Sequence, residues 1–339
     1  MRPGLFESNS IIRIKMKNTD NPVCRVLGIR YPLIQAPMNW INNAAMVAAV
    51  SEAGALGVLG PNAGPKVVDG RRVPTEERIG MVLEQVRRLT SAPVGINIFS
   101  AGDDATRAYA MKTIAAAKAH DVNVYCLVGT FDGPIYEAIK NAGGVIVHRE
   151  LTPTPRSARV AEEHGADIIV ATGIDEGGMI PSGCMGTFTA VPSIVDAVKS
   201  VPVMAAGGIN DIRGVRAAFA LGAQGVYVGT RFIASEECPA AQTVKDMIVA
   251  GSGDEIIAVA PDERSLPTPA AVEYNRRLLA GEPAESIHKE IMDKGGLGLA
   301  MLHGDVDGGI VSVNTGISSI RSIKPVAAIV AELMADFMD

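Results

Sequence analysis

Two short segments end in glycine where a helix could follow: Ala205-Ala206-Gly207-Gly208-Ile209 and Val228-Gly229-Thr230-Arg231-Phe232. Glycine lets backbone N–H groups come close to an anion, and the start of a helix adds a favourable dipole. The Thr230 hydroxyl offers one more hydrogen bond. The pair predicts a phosphate site, against the plainer alternative of two tight turns. A third segment, Gln35-Ala36-Pro37-Met38, has the small side chains that let a flat ring lie across it. Asn97 closes Val94-Gly95-Ile96-Asn97 and carries both a donor and an acceptor for the polar edge of such a ring. The run Thr172-Gly173-Ile174-Asp175-Glu176-Gly177-Gly178-Met179 is long and glycine-rich, and continues to Cys184 and Thr187. Ligand clamps use that backbone freedom, whereas buried connections do not need it.

The histidines divide by position. His120 and His164 stand where helices should end, so capping explains them. His148 closes the fifth aliphatic run and is expected to face the chemistry. His303 lies in Leu302-His303-Gly304-Asp305-Val306-Asp307-Gly308-Gly309, which lacks the third acidic position and terminal Glu of a calcium loop. A shaped turn lining the cleft is the better reading, and no metal site is expected. The four cysteines form no C-x-x-C pair, which excludes zinc and redox-dithiol motifs and suits a reducing, cytoplasmic setting.

The elements that must position these residues show a recurring pattern. An amphipathic stretch, a glycine and a short aliphatic run recur around Gly54, Gly143, Gly165 and Gly222. The glycine fits a left-handed helix cap, and the aliphatic run fits a strand buried on both faces. Eight strands are predicted, near 32–37, 55–59, 93–99, 122–128, 144–148, 167–172, 202–206 and 225–229. Strict alternation with helices implies parallel strands, and eight units imply an α/β fold of the (β/α)8 TIM-barrel type. An open Rossmann sheet lacks its G-x-G-x-x-G loop here. Residues 1–22 read as an arm, with Met16 a candidate start. Residues 23–235, with a last helix in 320–339, form the barrel. Residues 236–319 form a helical cap over its mouth, with a loop around Ala260–Pro269.

The net charge of −6 argues against nucleic acid, which needs clustered positive charge. No apolar run is long enough for a transmembrane helix, and residues 1–20 lack the apolar core of a signal peptide.

Taken together, Gln35-Ala36-Pro37-Met38, Ala53–Gly57, Val94–Asn97, Ala205–Ile209 and Val228–Phe232 resemble the nitronate monooxygenase family. That family includes flavin-dependent enoyl-acyl-carrier-protein reductases, which His303–Gly309 resembles in particular. The resemblance runs from Leu27 through the last helix. It implies a barrel holding FMN at Ala36, Pro37, Met38, Asn97, Gly177, Gly178, Gly207, Gly208, Gly229 and Thr230. In the family pattern a catalytic His follows the paired glycines, but here Met179 does, and a thioether moves no proton. The family's Gly-Gln near the C-terminus is replaced by Asn314-Thr315. Met179 is expected beside the flavin, with core packing as the alternative, and Cys184, His303 or water is expected to supply a proton. The activity implied is NADH- or NADPH-driven reduction of an enoyl thioester. The alternatives are a nitronate monooxygenase, an NAD(P)H:quinone-type reductase, or a flavin-binding barrel without the family chemistry. An acyl carrier protein is a candidate partner and a homodimer a candidate assembly.

Overall fold

Each aliphatic run forms a strand in the computed structural model, which describes residues 21–338. The candidate start at Met16, and all of the arm but its last two residues, lie outside the described residues. The strands are β1 (Leu33–Gln35), β2 (Gly57–Leu59), β3 (Val94–Ser100), β4 (Val124–Gly129), β5 (Val145–Arg149), β6 (Ile168–Thr172), β7 (Val203–Ala206) and β8 (Gly225–Val228). All pair in parallel in the order β2-β3-β4-β5-β6-β7-β8-β1. An Ile34–Leu56 bridge joins β1 back to β2, with Gln35 N–H donating to Leu56 O at 2.9 Å. The barrel is therefore closed, as the alternation requires.

Seven helices make the crossovers: α2 (Ala44–Glu52), α3 (Thr75–Leu89), α4 (Asp104–Ala119), α5 (Gly133–Asn141), α6 (Pro155–Glu163), α7 (Thr187–Val195) and α8 (Ile212–Ala220). Five of them start on a side-chain cap, from Asn43, Asp103, Asp132, Thr154 and Asp211. Each satisfies backbone donors that the first turn leaves unpaired. At the other end, Gly54, Gly143, Gly165 and Gly222 all have φ between +74° and +98°. That is the left-handed geometry the repeated glycine predicted. His120 and His164 are the C-cap residues of α4 and α6, as expected.

Alternate residues of each strand face opposite ways. Ile34, Val58, Cys126, Val147, Val170, Met204 and Tyr227 fill the barrel, and α1 (Pro22–Leu27) closes its lower end with Val23, Cys24 and Leu27. Leu33, Ile96, Tyr125, Ile146, Ile169, Val203 and Val226 meet the helices instead. Residues 21 and 22 thus belong to the barrel floor.

After β8 come α9 (Thr230–Ile233) and α10 (Gln242–Ala250), and then the cap. The loop expected around Ala260–Pro269 is in fact a hairpin, β9 (Ile257–Ala260) with β10 (Glu263–Ser265). Pro261 and Asp262 form its two-residue turn, which converts an apparent break into strand pairing. The helices α11 (Pro269–Leu279) and α12 (Ala284–Asp293) pack on it around Val259, Tyr274, Ile287 and Ile291. A short α13 (Gly298–Met301) follows, and α14 (Val326–Leu333) returns to the barrel. Val244 and Ile248 of α10, and Val311, Val313 and Ile317, pack with the helix layer of the barrel rather than with the cap core.

Candidate active site

The ends of β7 and β8 make a cradle. Gly207 and Gly208 have φ of +107° and +69°. A Cβ on Gly207 would lie 2.5 Å from Thr187 Oγ1, so no side chain fits there. The Thr187 hydroxyl contacts Ala206 O and Gly207 O at 3.2 and 3.0 Å and pins the turn. Asn314 N–H donates to Thr230 Oγ1 at 3.0 Å, a bond that leaves the Thr230 hydroxyl proton available. Asn210 and Asn314 exchange two side-chain amide bonds, both 2.9 Å. Gly316 approaches so closely that its Cβ would lie 2.6 Å from Gly208 O. The segment carrying Asn314-Thr315, which departs from the family's Gly-Gln, thus lies directly behind the cradle.

Across the mouth, Ala36 N–H donates to Val228 O at 2.8 Å. A Cβ on Gly229 would meet Ala36 Cβ at 3.6 Å and Met38 Sδ at 3.8 Å, so these residues share one wall. Asn97 lies within β3 rather than at its end, because the strand runs on to Ser100. It stays buried, with Nδ2 donating to Cys126 O at 3.1 Å. Pro37 is half-buried between Ala36 and Met38. Gly177 packs on Val313, while Gly178, at φ +85°, has open space where a Cβ would be and donates to Ser312 Oγ at 2.8 Å.

Beneath the mouth lies a polar group that the sequence reading missed. Arg149 ends β5 on an inward register and pairs with Glu176, both buried. Glu176 Oε1, Tyr227 OH and Thr172 Oγ1 are buried without a hydrogen-bond partner. Burial pushes the Glu176 carboxyl up to about 7, against the opposing pull of Arg149 and then Arg264. Burial also raises Tyr227 well above its ordinary range, with Cys126 and Glu176 adding to the shift and Arg149 opposing it. Buried polar atoms without partners are rare and call for a ligand or water. Three such atoms under a glycine cradle fit a polar, ring-bearing cofactor with a phosphate tail.

The three candidate catalytic residues, Met179, Cys184 and His303, stand on separate supports. Met179 is 43% exposed and pairs with Glu263 of the cap hairpin in an antiparallel bridge. Cys184 is exposed, in a loop held to Thr152 through the Ser182 hydroxyl at 3.0 Å. His303 is exposed on a cap turn whose Gly304 lies against Ala241 and Thr243. The shaped turn itself is real, since Asp305 Oδ1 accepts from Gly308 N–H at 2.9 Å. His148, expected at the mouth, does not face it. It points into the helix layer, where its Nδ1 meets Tyr136 OH at 2.8 Å. Arg149, one residue on, takes the inward position.

The sequence profile described as nitronate monooxygenase matches residues 21–336. The chain belongs to the nitronate monooxygenase family. It is 31% identical over 273 residues to a probable nitronate monooxygenase of Staphylococcus haemolyticus, covering 68% of this chain and 72% of that one. It is 29% identical over 226 residues to a (3aS,4S,5R,7aS)-5-hydroxy-7a-methyl-1-oxo-octahydro-1H-indene-4-carboxyl-CoA dehydrogenase of Mycobacterium tuberculosis, covering 66% and 58%. Among solved structures, FabK from Thermotoga maritima superposes with a TM-score of 0.81 at 28% identity, covering 94% of this chain and 96% of that one. As a member of the nitronate monooxygenase family with this barrel, the chain is a flavin-dependent oxidoreductase. No helix among the described residues is long and apolar enough to cross a membrane.

Proposed function

We propose that this protein is an FMN-dependent reductase that uses NADH or NADPH to reduce the activated double bond of an enoyl thioester. The observation that carries this reading is Met179. The position where the family pattern has its His holds a thioether that neither takes nor gives a proton. Nitronate oxidation loses its base there, whereas hydride transfer needs none. The likeness to FabK and to a relative named for a carboxyl-CoA substrate supports a thioester. Gly207, Gly208, Gly229 and Thr230 would hold the phosphate of FMN. Ala36, Pro37, Met38 and Asn97 would border its ring, with Gly177 and Gly178 across from them. Bound there, FMN would accept a hydride from the nicotinamide and pass it to the substrate. The cap would exclude water, with its α13 beside Trp40, whose ring lies 3.5 Å from a Cβ built on Gly298. Delivery of the acyl group on CoA or an acyl carrier protein, a homodimer and a cytoplasmic location belong to the same proposal.

Anaerobic stopped-flow absorbance tests it. NADH or NADPH should bleach the flavin faster than propionate 3-nitronate does, and an enoyl-CoA should restore the colour. Rapid bleaching by the nitronate, with none by either nicotinamide, overturns the reading in favour of the oxygenase.

A further inference from the structure

The reductase reading leaves one need unmet, a proton for the second carbon of the double bond. The cap hairpin supplies a group for it. Ile180 N–H donates to Asp262 O at 2.9 Å, one residue beyond the Met179–Glu263 bridge on each strand. That bond pattern makes Met179 and Glu263 a non-hydrogen-bonded antiparallel pair. In such a pair the two side chains leave the ribbon on the same face, with Cβ atoms about 4.5–5.5 Å apart. Glu263 therefore stands beside the position where the family pattern has its His. Arg264, the next residue, turns to the other face and donates to Glu176 O at 3.1 Å and to Ile174 O, which ties the hairpin to the glycine-rich loop. On the Glu263 face, α12 presents His288, with Nδ1 3.9 Å from Glu263 Oε2. His288 is 52% exposed while the Glu263 side chain is 11% exposed, so the pair leads from solvent inward.

We propose that Glu263 is the proton donor of this reductase site, resupplied with protons by His288. The inference rests on the reductase reading. When a hydride forms the new C–H bond at the β-carbon, the π pair of the double bond moves to the α-carbon. That pair takes the proton of the Glu263 carboxyl, whose O–H bond breaks to leave a carboxylate. The His288 ring returns a proton to that carboxylate, and solvent restores His288. The nicotinamide is oxidised by loss of a hydride, and the substrate gains that hydride and one proton. The carboxyl has the acidity this requires, because burial pushes it up to about 7, with Asp262 adding to the rise. Asp262 and His288 are the titratable groups beside it, Met179 carries no charge, and Arg264 lies on the opposite face.

The test uses holoenzyme and separates the two half-reactions, with crotonyl-CoA as the probe. Glu263→Gln keeps the shape of the neutral acid without its proton. It should leave flavin bleaching by NADH or NADPH unchanged and slow reoxidation of pre-reduced flavin by ~10²–10⁴-fold, the usual contribution of acid–base catalysis. The fall in reoxidation rate above about pH 7 should vanish with it. His288→Gln should preserve a single reoxidation event and slow steady-state turnover. Met179→His in the Glu263→Gln background should restore reoxidation. Independently of turnover, the infrared carboxyl band that titrates near neutral pH should lose amplitude in Glu263→Gln. Reoxidation within threefold of the parent, with the pH limb retained, overturns the proposal, as does an unchanged infrared band. Failure of both nicotinamides to bleach the parent flavin defeats the reductase reading instead, and the infrared band still judges Glu263.

Discussion

Replacing Arg149 with Met removes the positive partner of Glu176 and keeps an unbranched apolar chain in the barrel. The wild-type carboxyl sits at about 7 against an ordinary 4.5. The folded state therefore holds a proton that the unfolded state has lost between those values. That stability is complete below 4.5, falls as pH rises through the window and levels off above about 7. Each pH unit inside the window is worth about 1.4 kcal/mol. Arg149 is the largest influence holding the carboxyl down, so Arg149→Met should extend the window upward. Proton uptake limits the damage. At pH 8 the extra loss is at most about 1.4 kcal/mol, since the carboxyl can stay neutral instead of remaining as a bare buried charge. At pH 5 both proteins hold the group neutral and the extra loss disappears. Any packing offset is the same at both pH values and cancels in the difference. Urea unfolding at pH 5, 7 and 8 with saturating flavin measures it. A difference between variant and parent that is flat with pH would refute the coupling of Glu176 to Arg149.

Gly208→Val places a β-branched residue at φ +69°, with its Cβ 3.3 Å from Asp175 Cβ. Left-handed strain of ~1–2 kcal/mol translates into roughly tenfold weaker flavin binding if the strain is felt in the bound state. A fluorescence titration with unchanged affinity would remove Gly208 from the cradle. Tyr136→Phe strips His148 Nδ1 of its buried partner. It should cost ~1–3 kcal/mol of stability while leaving flavin reduction untouched. A changed reduction rate in the folded variant would return His148 to the mouth. Met179→His alone should raise bleaching by propionate 3-nitronate by up to ~10²–10⁴-fold, and no rise would mean that an imidazole at this position cannot reach the substrate.

The barrel was legible because its signals are local. A capping glycine and the aliphatic run after it lie within a few residues of each other, and the pattern repeats around Gly54, Gly143, Gly165 and Gly222. The glycine ends of β7 and β8 are equally local. Facing is a different matter, since a shift of one residue exchanges the two sides of a strand. Taking β5 to end at His148 put that residue at the mouth, but the strand runs one residue further, to Arg149, and alternation with the inward Val147 turns His148 toward Tyr136 in the helix layer. Arg149 and Glu176 are 27 residues apart, and Glu263 reaches Met179 from a separate hairpin. No motif links such residues. The one signal available was a charged residue on the inward register of a barrel strand, which is rare unless it is paired. The Ile257–Ser265 hairpin was hidden because Pro261 reads equally well as a break or a turn.

The bonds that tie the mouth together span long stretches of chain. Asn314 reaches Thr230 across 84 residues and Asn210 across 104, and Ser312 reaches Gly178 across 134. Contacts of such separation are the slowest to form, because the loop they close must first be brought together. Neighbouring strands can pair as the chain collapses, while the cradle waits for its late segment to return. A folding intermediate with a formed sheet would therefore be blind to flavin, and the cofactor would enter as the seal on an assembled barrel rather than as the template for it.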